Sequence, residues 1–118
     1  MTIIEEIIDT FKDVALGTEY SYEEIVQKVH TKFGRNPRSI IPSDYCYNRL
    51  NYGIDYEKSV HLFEYTDERK YRYLGPGIKY NGSIFHKPKG QRETCIGYVN
   101  NGVLFLNEAE TVVPTENM

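Results

Sequence analysis

The spacing of apolar residues changes once along this chain, at about Gly53, and that change constrains the fold more than any other feature. Upstream the period is helical. Thr2 followed by Glu5 is a capping box, and Ile4, Ile7, Ile8, Phe11, Val14 and Ala15 recur at three- and four-residue intervals until Gly17, which predicts a helix from Ile3 to Leu16. The signature returns at Ser21 and Glu24, with Tyr22, Ile25, Val26, Val29 and Phe33 as the stripe and Gly34 as the stop. Downstream the period is two. Val60 to Thr66 alternates, Asp67 and Glu68 sit in a turn, and Lys70 to Leu74 alternates again up to Gly75-Pro76-Gly77. The Gly/Pro-marked, lysine-bearing stretch 75–90 holds a short strand at Ser83 to His86. Thr94 to Val99 and Val103 to Leu106 then flank Asn101-Gly102, a pair able to supply the two positive φ values of a tight hairpin turn. Helices followed by hairpins define an α+β fold in which the strands are antiparallel.

The stretch between the two regimes is ambiguous, because Pro37 and Pro42 are acceptable near a helix start and costly in its interior. A short turn at 37–41 is expected, then a helix capped by Ser43, favoured by Asp44 in its first turn, continuing through Tyr45 to Leu50 and ending at Asn51 and Gly53. At 118 residues the chain is one domain, expected over 1–107, with 108–118 as a flexible acidic tail. Hydrophobic residues at 40% and charged residues at 26% are ordinary for a folded protein. No apolar run reaches the roughly 18 to 20 residues of a membrane span, and the N-terminus lacks the basic start of a signal peptide. A cytoplasmic protein with no membrane partner and with reduced thiols at Cys46 and Cys95 is expected.

The net charge of −3 hides an uneven distribution. Residues 1–24 carry seven acids and one lysine, residues 25–99 carry thirteen Lys/Arg and seven acids, and the last nineteen carry three acids and no base. A polyanion responds to the field of one face, so a basic middle between acidic ends is compatible with phosphate binding.

Three helices and then a hairpin, over residues 1 to 75, resemble a winged helix-turn-helix, with Ile3 to Leu16, Tyr22 to Phe33 and Arg38 to Leu50 as helices and Leu62 to Tyr73 as the wing. The "SDYCYN" segment is also similar to small domains attached to bacterial and phage restriction-type nucleases. The resemblance implies a winged-helix-like protein, with an extra C-terminal hairpin, that reads or docks on double-stranded DNA through its third helix. Arg35, Arg38, Ser39, Ser43, Tyr45, Asn48 and Arg49 have the right chemistry there, and Arg69, Lys70 and Arg72 in the wing would add phosphate contacts. On a helix starting at 43, Tyr45, Asn48 and Arg49 would form the reading face.

Other readings use the same residues. Ser43 can be only a cap, Asp44 only a first-turn acid, and Tyr45, Cys46 and Tyr47 only packing residues. Eleven tyrosines without a tryptophan suit either base stacking or protein contacts. Two alternatives follow: a phage-type interaction or inhibitor protein that binds a host protein, or a reader of a modified base in an aromatic pocket of Tyr47, Tyr71, Tyr73 and Tyr80 with Tyr45. A homodimer is left open. Enzyme signatures are weak: Cys46, His61, His86 and Cys95 lack paired zinc-ligand spacing, and Glu64, Asp67, Glu68 and Lys70 read as a charged turn. No Gly-rich phosphate loop or dinucleotide fingerprint occurs. No catalytic residue, metal or cofactor is expected.

Overall fold

The computed structural model describes residues 1–51, 53–87 and 90–107, so the tail expected at 108–118 lies outside the described residues. Among them the architecture is α+β: α1 (Ile3–Phe11), β1 (Glu19–Tyr20), α2 (Tyr22–Phe33), 3₁₀ turns at Pro37–Ser39, Pro42–Tyr45 and Tyr56–Lys58, then β2 (Phe63–Tyr65), β3 (Tyr71–Tyr73), β4 (Gly82–His86), β5 (Thr94–Asn100) and β6 (Val103–Leu106). No helix among the described residues is long and apolar enough to cross a membrane.

Both capping boxes form. Thr2 accepts from the Glu5 amide while the Glu5 carboxylate accepts from the Thr2 amide, and Ser21 and Glu24 do the same for α2. Gly34 ends α2 in the left-handed region at φ 71°, its amide donating to the His30 carbonyl. Helix α1 stops at Phe11, earlier than the expected Leu16. Beyond it the chain turns to lay residues 17–20 against β3, where the Gly17 amide donates to the Tyr73 carbonyl and the Tyr73 amide to the Thr18 carbonyl. Strand β1 is two residues long, too short to carry a period, so no spacing of residues announces it.

Two antiparallel three-stranded sheets result, ordered β1-β3-β2 and β4-β5-β6. The helices cover the first sheet, and Ile7, Phe11, Ile25, Val29, Ile40, Phe63, Tyr71 and Tyr73 make its core. Phe11 is central, with ring centroids 5.2 Å from Tyr20, 5.5 Å from Phe63 and 5.6 Å from Tyr73. A second core of Tyr47, Tyr56, Tyr80, Ile84 and Val99 lies under the other sheet. Asn101 at φ 52° and Gly102 at φ 84° form the expected tight turn between β5 and β6.

The third helix is the main correction. Residues 42–45 make a single 3₁₀ turn, and residues 46–50 are not helical: Cys46 is extended at φ −98° and ψ 144°, and the chain bends at 47–48. Cys46 bridges Phe63 of β2 and Arg49 bridges Phe85 of β4, both in parallel sense. The Tyr47 amide donates to the Phe63 carbonyl, the Phe85 amide to the Asn48 carbonyl and the Leu50 amide to the Phe85 carbonyl, at 2.8 to 2.9 Å. One segment therefore pairs with one edge strand of each sheet, β2 of the first and β4 of the second. The physical reason lies in the pairing: the edges of β2 and β4 offer this segment backbone partners on both sides, and Cys46 enters the first core while Tyr47 enters the second. In the wing, Tyr71 and Tyr73 point into the core and Arg72 points away, as the alternation of Lys70 to Leu74 implies.

Candidate nucleic-acid interface

The expected contact residues divide into those used by the fold and those left available. Arg35 belongs to the first group: its Nε and Nη2 donate to the Glu6 carboxylate at 2.9 and 2.7 Å, and Nη2 also reaches the Met1 carbonyl. Those bonds hold the Glu6 carboxyl below the usual carboxylate range. Arg72 is likewise engaged, its Nη1 on Glu64 at 2.7 Å and its Nη2 on Glu19 at 3.0 Å. Ser39 donates to the Asn36 carbonyl. Ser43 and Asp44 accept from the Asn51 side-chain amide at 2.9 and 2.7 Å, so Ser43 closes a loop and does not cap an α-helix.

Nor do Tyr45, Asn48 and Arg49 share a helical reading face, because that helix is absent. Tyr45 is half-buried against the first core. Asn48 is buried, its side-chain amide donating to the Tyr65 carbonyl and its side-chain oxygen accepting from the Tyr65 amide, both at 2.8 Å. It thus imitates a neighbouring strand's peptide group and leaves no edge for a base. The four tyrosines of the expected aromatic pocket are also buried, and in different cores: Tyr71 and Tyr73 in the first, Tyr47 and Tyr80 in the second. Tyr47 donates to the Gly75 carbonyl and Tyr80 to Glu64, at 2.7 and 2.6 Å. Burial pushes the hydroxyl pKa of each of the four upward. They are structural residues and form no common pocket.

What remains is a cleft of about 780 Å³ between the two sheets. Arg49, Tyr65 and Phe85 wall it, Arg69 and Lys87 stand at it from opposite sheets, and Glu93 closes one side. The side chain of Arg49 is only 10% exposed. Its guanidinium carbon lies 4.4 Å from the Tyr65 ring centroid, and its Nη2 is 3.5 Å from the Glu93 carboxylate. Its Nε, buried, has no hydrogen-bond partner among the described residues. Arg69 occupies the β2–β3 turn in the left-handed region at φ 63°, unusual for an arginine. Arg69, Lys70 and the exposed Arg38 make no ion pair among the described residues, and neither does Lys87. Tyr65, Phe85, Lys87 and Glu93 were not among the expected contacts. The lysine-rich composition of 75–90 hinted at Lys87, but the pairing of Arg49 with Phe85 that gathers the others joins residues far apart in the chain.

Among the described residues no group of three or more His, Cys, Asp or Glu could hold a metal ion. Cys46 is buried and donates to the Pro42 carbonyl, and Cys95 is an exposed free thiol. His61 Nε2 lies 2.7 Å from the Tyr56 carbonyl and so carries the proton, and burial lowers the ring's pKa.

The chain is similar to an uncharacterized protein, YnaC, of Bacillus subtilis (strain 168), at 46% identity over 110 residues. That match covers 92% of this chain and 41% of the relative, so the chain spans about two-fifths of the relative's length. No solved structure matches. The profile of a family described as Domain of unknown function (DUF7225) matches residues 2–106, a span that takes in α1 through β6 and the cleft between the sheets, and the chain belongs to that family.

Proposed function

We propose that the chain is a non-enzymatic nucleic-acid-binding module of winged-helix type, docking on duplex DNA through the β2–β3 turn and the mouth of the inter-sheet cleft in place of a third helix. The observation that carries this reading is the contrast among its cations: Arg35 and Arg72 are tied to acids, whereas Arg69 and Lys87 face one cleft without an ion-pair partner among the described residues. Unpaired cations at a shared mouth can neutralise neighbouring phosphates, and such contacts position a protein on the backbone without reading sequence. The left-handed Arg69 adds support, because backbone strain of this kind collects at working surfaces. Net charge is no obstacle, since the acids of α1 are spent partly on Lys12, Lys32 and Arg35.

Fluorescence anisotropy of a labelled random duplex at roughly 50 and 200 mM salt tests it, since phosphate contacts lose strength steeply over that range. The Arg69→Gln, Lys87→Gln double variant should lower the salt slope by about 2, one for each lost contact. Binding that is absent at both salts, or unchanged in the double variant, overturns the reading. A second reading, a protein-interaction module, is favoured by one specific feature: Tyr98, Val103 and Phe105 share the outer face of β5 and β6 half-exposed, with the Tyr98 and Phe105 rings stacked at 5.1 Å.

A further inference from the structure

We propose that the Arg49 guanidinium is a subsite for a phosphate group, and that the Glu93 carboxylate is an internal stand-in which the phosphate displaces. The subsite rests on the nucleic-acid reading for the source of its phosphate and not for its chemistry.

Arginine donates through five N–H groups, and buried arginines normally have them satisfied. Arg49 departs from that rule. Its side chain is nine-tenths buried, yet Nε has no partner and the Glu93 oxygen at 3.5 Å is an ion-pair distance that makes no hydrogen bond. The guanidinium is held in place by other means: the Tyr65 ring beneath it, and a backbone fixed on both sides by the Phe85 peptide. A charged fork positioned by stacking, with its donors unspent, is preorganised for an anion.

Three features favour a phosphate over a carboxylate. The carboxylate already within reach, Glu93, comes no nearer than 3.5 Å to Nη2 and leaves Nε unsatisfied, so the fork stays open to a more highly charged anion, and a phosphate can take such a fork bidentately. Arg69 and Lys87 line the same cleft, so the local cationic charge suits a group of higher charge than Glu93 provides. The cleft, at about 780 Å³, is also within the size of sites that enclose a small ligand, with Phe85 as an apolar wall for an attached base or sugar. Glu93 precedes β5 and its side chain is about one-third exposed, so it can swing to solvent without disturbing a core.

The test uses the full chain and three probes: inorganic phosphate, thymidine 5′-monophosphate and a labelled duplex, each titrated by calorimetry or anisotropy into the wild type, Glu93→Gln and Arg49→Lys. Glu93→Gln should tighten all three by roughly two- to fivefold, the worth of one partly exposed ion pair. Arg49→Lys keeps the charge and loses the fork, and should weaken them by about tenfold. If Arg49→Lys fails to fold by circular dichroism, the exposed Glu93→Gln still decides: unchanged affinity in that variant overturns the proposal. Duplex binding that is salt-sensitive but indifferent to both substitutions overturns the subsite and leaves the nucleic-acid reading standing. Phosphate and monophosphate binding that respond to both substitutions, without duplex binding, support the subsite and overturn the nucleic-acid reading. No binding of any probe overturns both.

Discussion

Asn48 shows how much one side chain can decide. A buried asparagine that bonds both peptide groups of Tyr65 replaces a stretch of strand, and its removal leaves the part-buried Tyr65 amide and carbonyl without that partner. Asn48→Ala should cost about 1–3 kcal/mol, because a fully buried unsatisfied group costs about 1–3 kcal/mol and these two are part-buried, and a urea melt would read this as a lower midpoint at constant slope. A loss under 1 kcal/mol would mean that water reaches these groups and the asparagine is dispensable. Arg69 makes the opposite case. Its left-handed backbone costs about 1–2 kcal/mol in an L-residue and nothing in glycine. Arg69→Gly should therefore raise the melting temperature by a few degrees while weakening duplex binding, a divergence that a merely structural turn residue would not show. Neither role was legible in the sequence. An asparagine between a tyrosine and an arginine looks like any helix-surface residue until the strand it imitates is known, and an arginine in a charged turn announces its charge but not its φ.

At the scale of elements, the legible parts are those whose signal is local. The two capping boxes, the Gly34 stop and the Asn101-Gly102 turn each depend on residues within a few positions of one another, and all formed as their spacing implies. The failures share a different cause. Strand β1 exists because β3 offers it an edge, and the segment 46–50 leaves the helical path because two sheets offer it edges, and these partner strands come later in the chain. Two predictions belong here. Gly97 of β5 faces Leu106, and a Cβ there would collide with the Phe105 carbonyl oxygen and lie 2.9 Å from the Leu106 Cα. Gly97→Ala should thus destabilise by about 1–3 kcal/mol and selectively increase amide exchange in β5 and β6. Helix α1 is tied by carboxylates: Glu6 is held below its ordinary value of 4.5 by hydrogen bonds from Arg35, and Asp9 below 3.8 by Lys32 and Lys12. Because the folded pKa values are depressed, this stabilisation is complete above those ordinary values and fades as pH falls through the lower folded ones. The melting temperature should drop between about pH 4.5 and pH 3, and Arg35→Met should flatten the drop; an equally steep acid limb in that variant would show that the ties are not its cause.

For the whole molecule, the fold class was readable and the joint between its halves was not. Residues 1–75 resemble a complete winged helix in sequence, but in the structure that portion ends in a strand edge awaiting β4 and exposes Tyr47, which belongs to the second core. A chain ending at Gly75 should fail to give the cooperative thermal transition expected of residues 1–107, as followed by far-ultraviolet circular dichroism. A sharp transition in the short chain would establish the first half as autonomous. The polar connections agree with a single unit: Tyr80, from the second core, donates to Glu64, which also holds Arg72, which also holds Glu19.

The shared segment also sets an order of events during synthesis. Residues 46–50 leave the ribosome before either of the strands they pair with, and their first partner, β2, follows within twenty residues, while β4 is complete only at His86. Between the end of β3 at Tyr73 and that point the nascent chain carries a half-paired strand, open on the side that Phe85 will occupy. At about 5–20 residues per second this lasts on the order of one second, a period in which a chaperone or another nascent chain could take the place of β4.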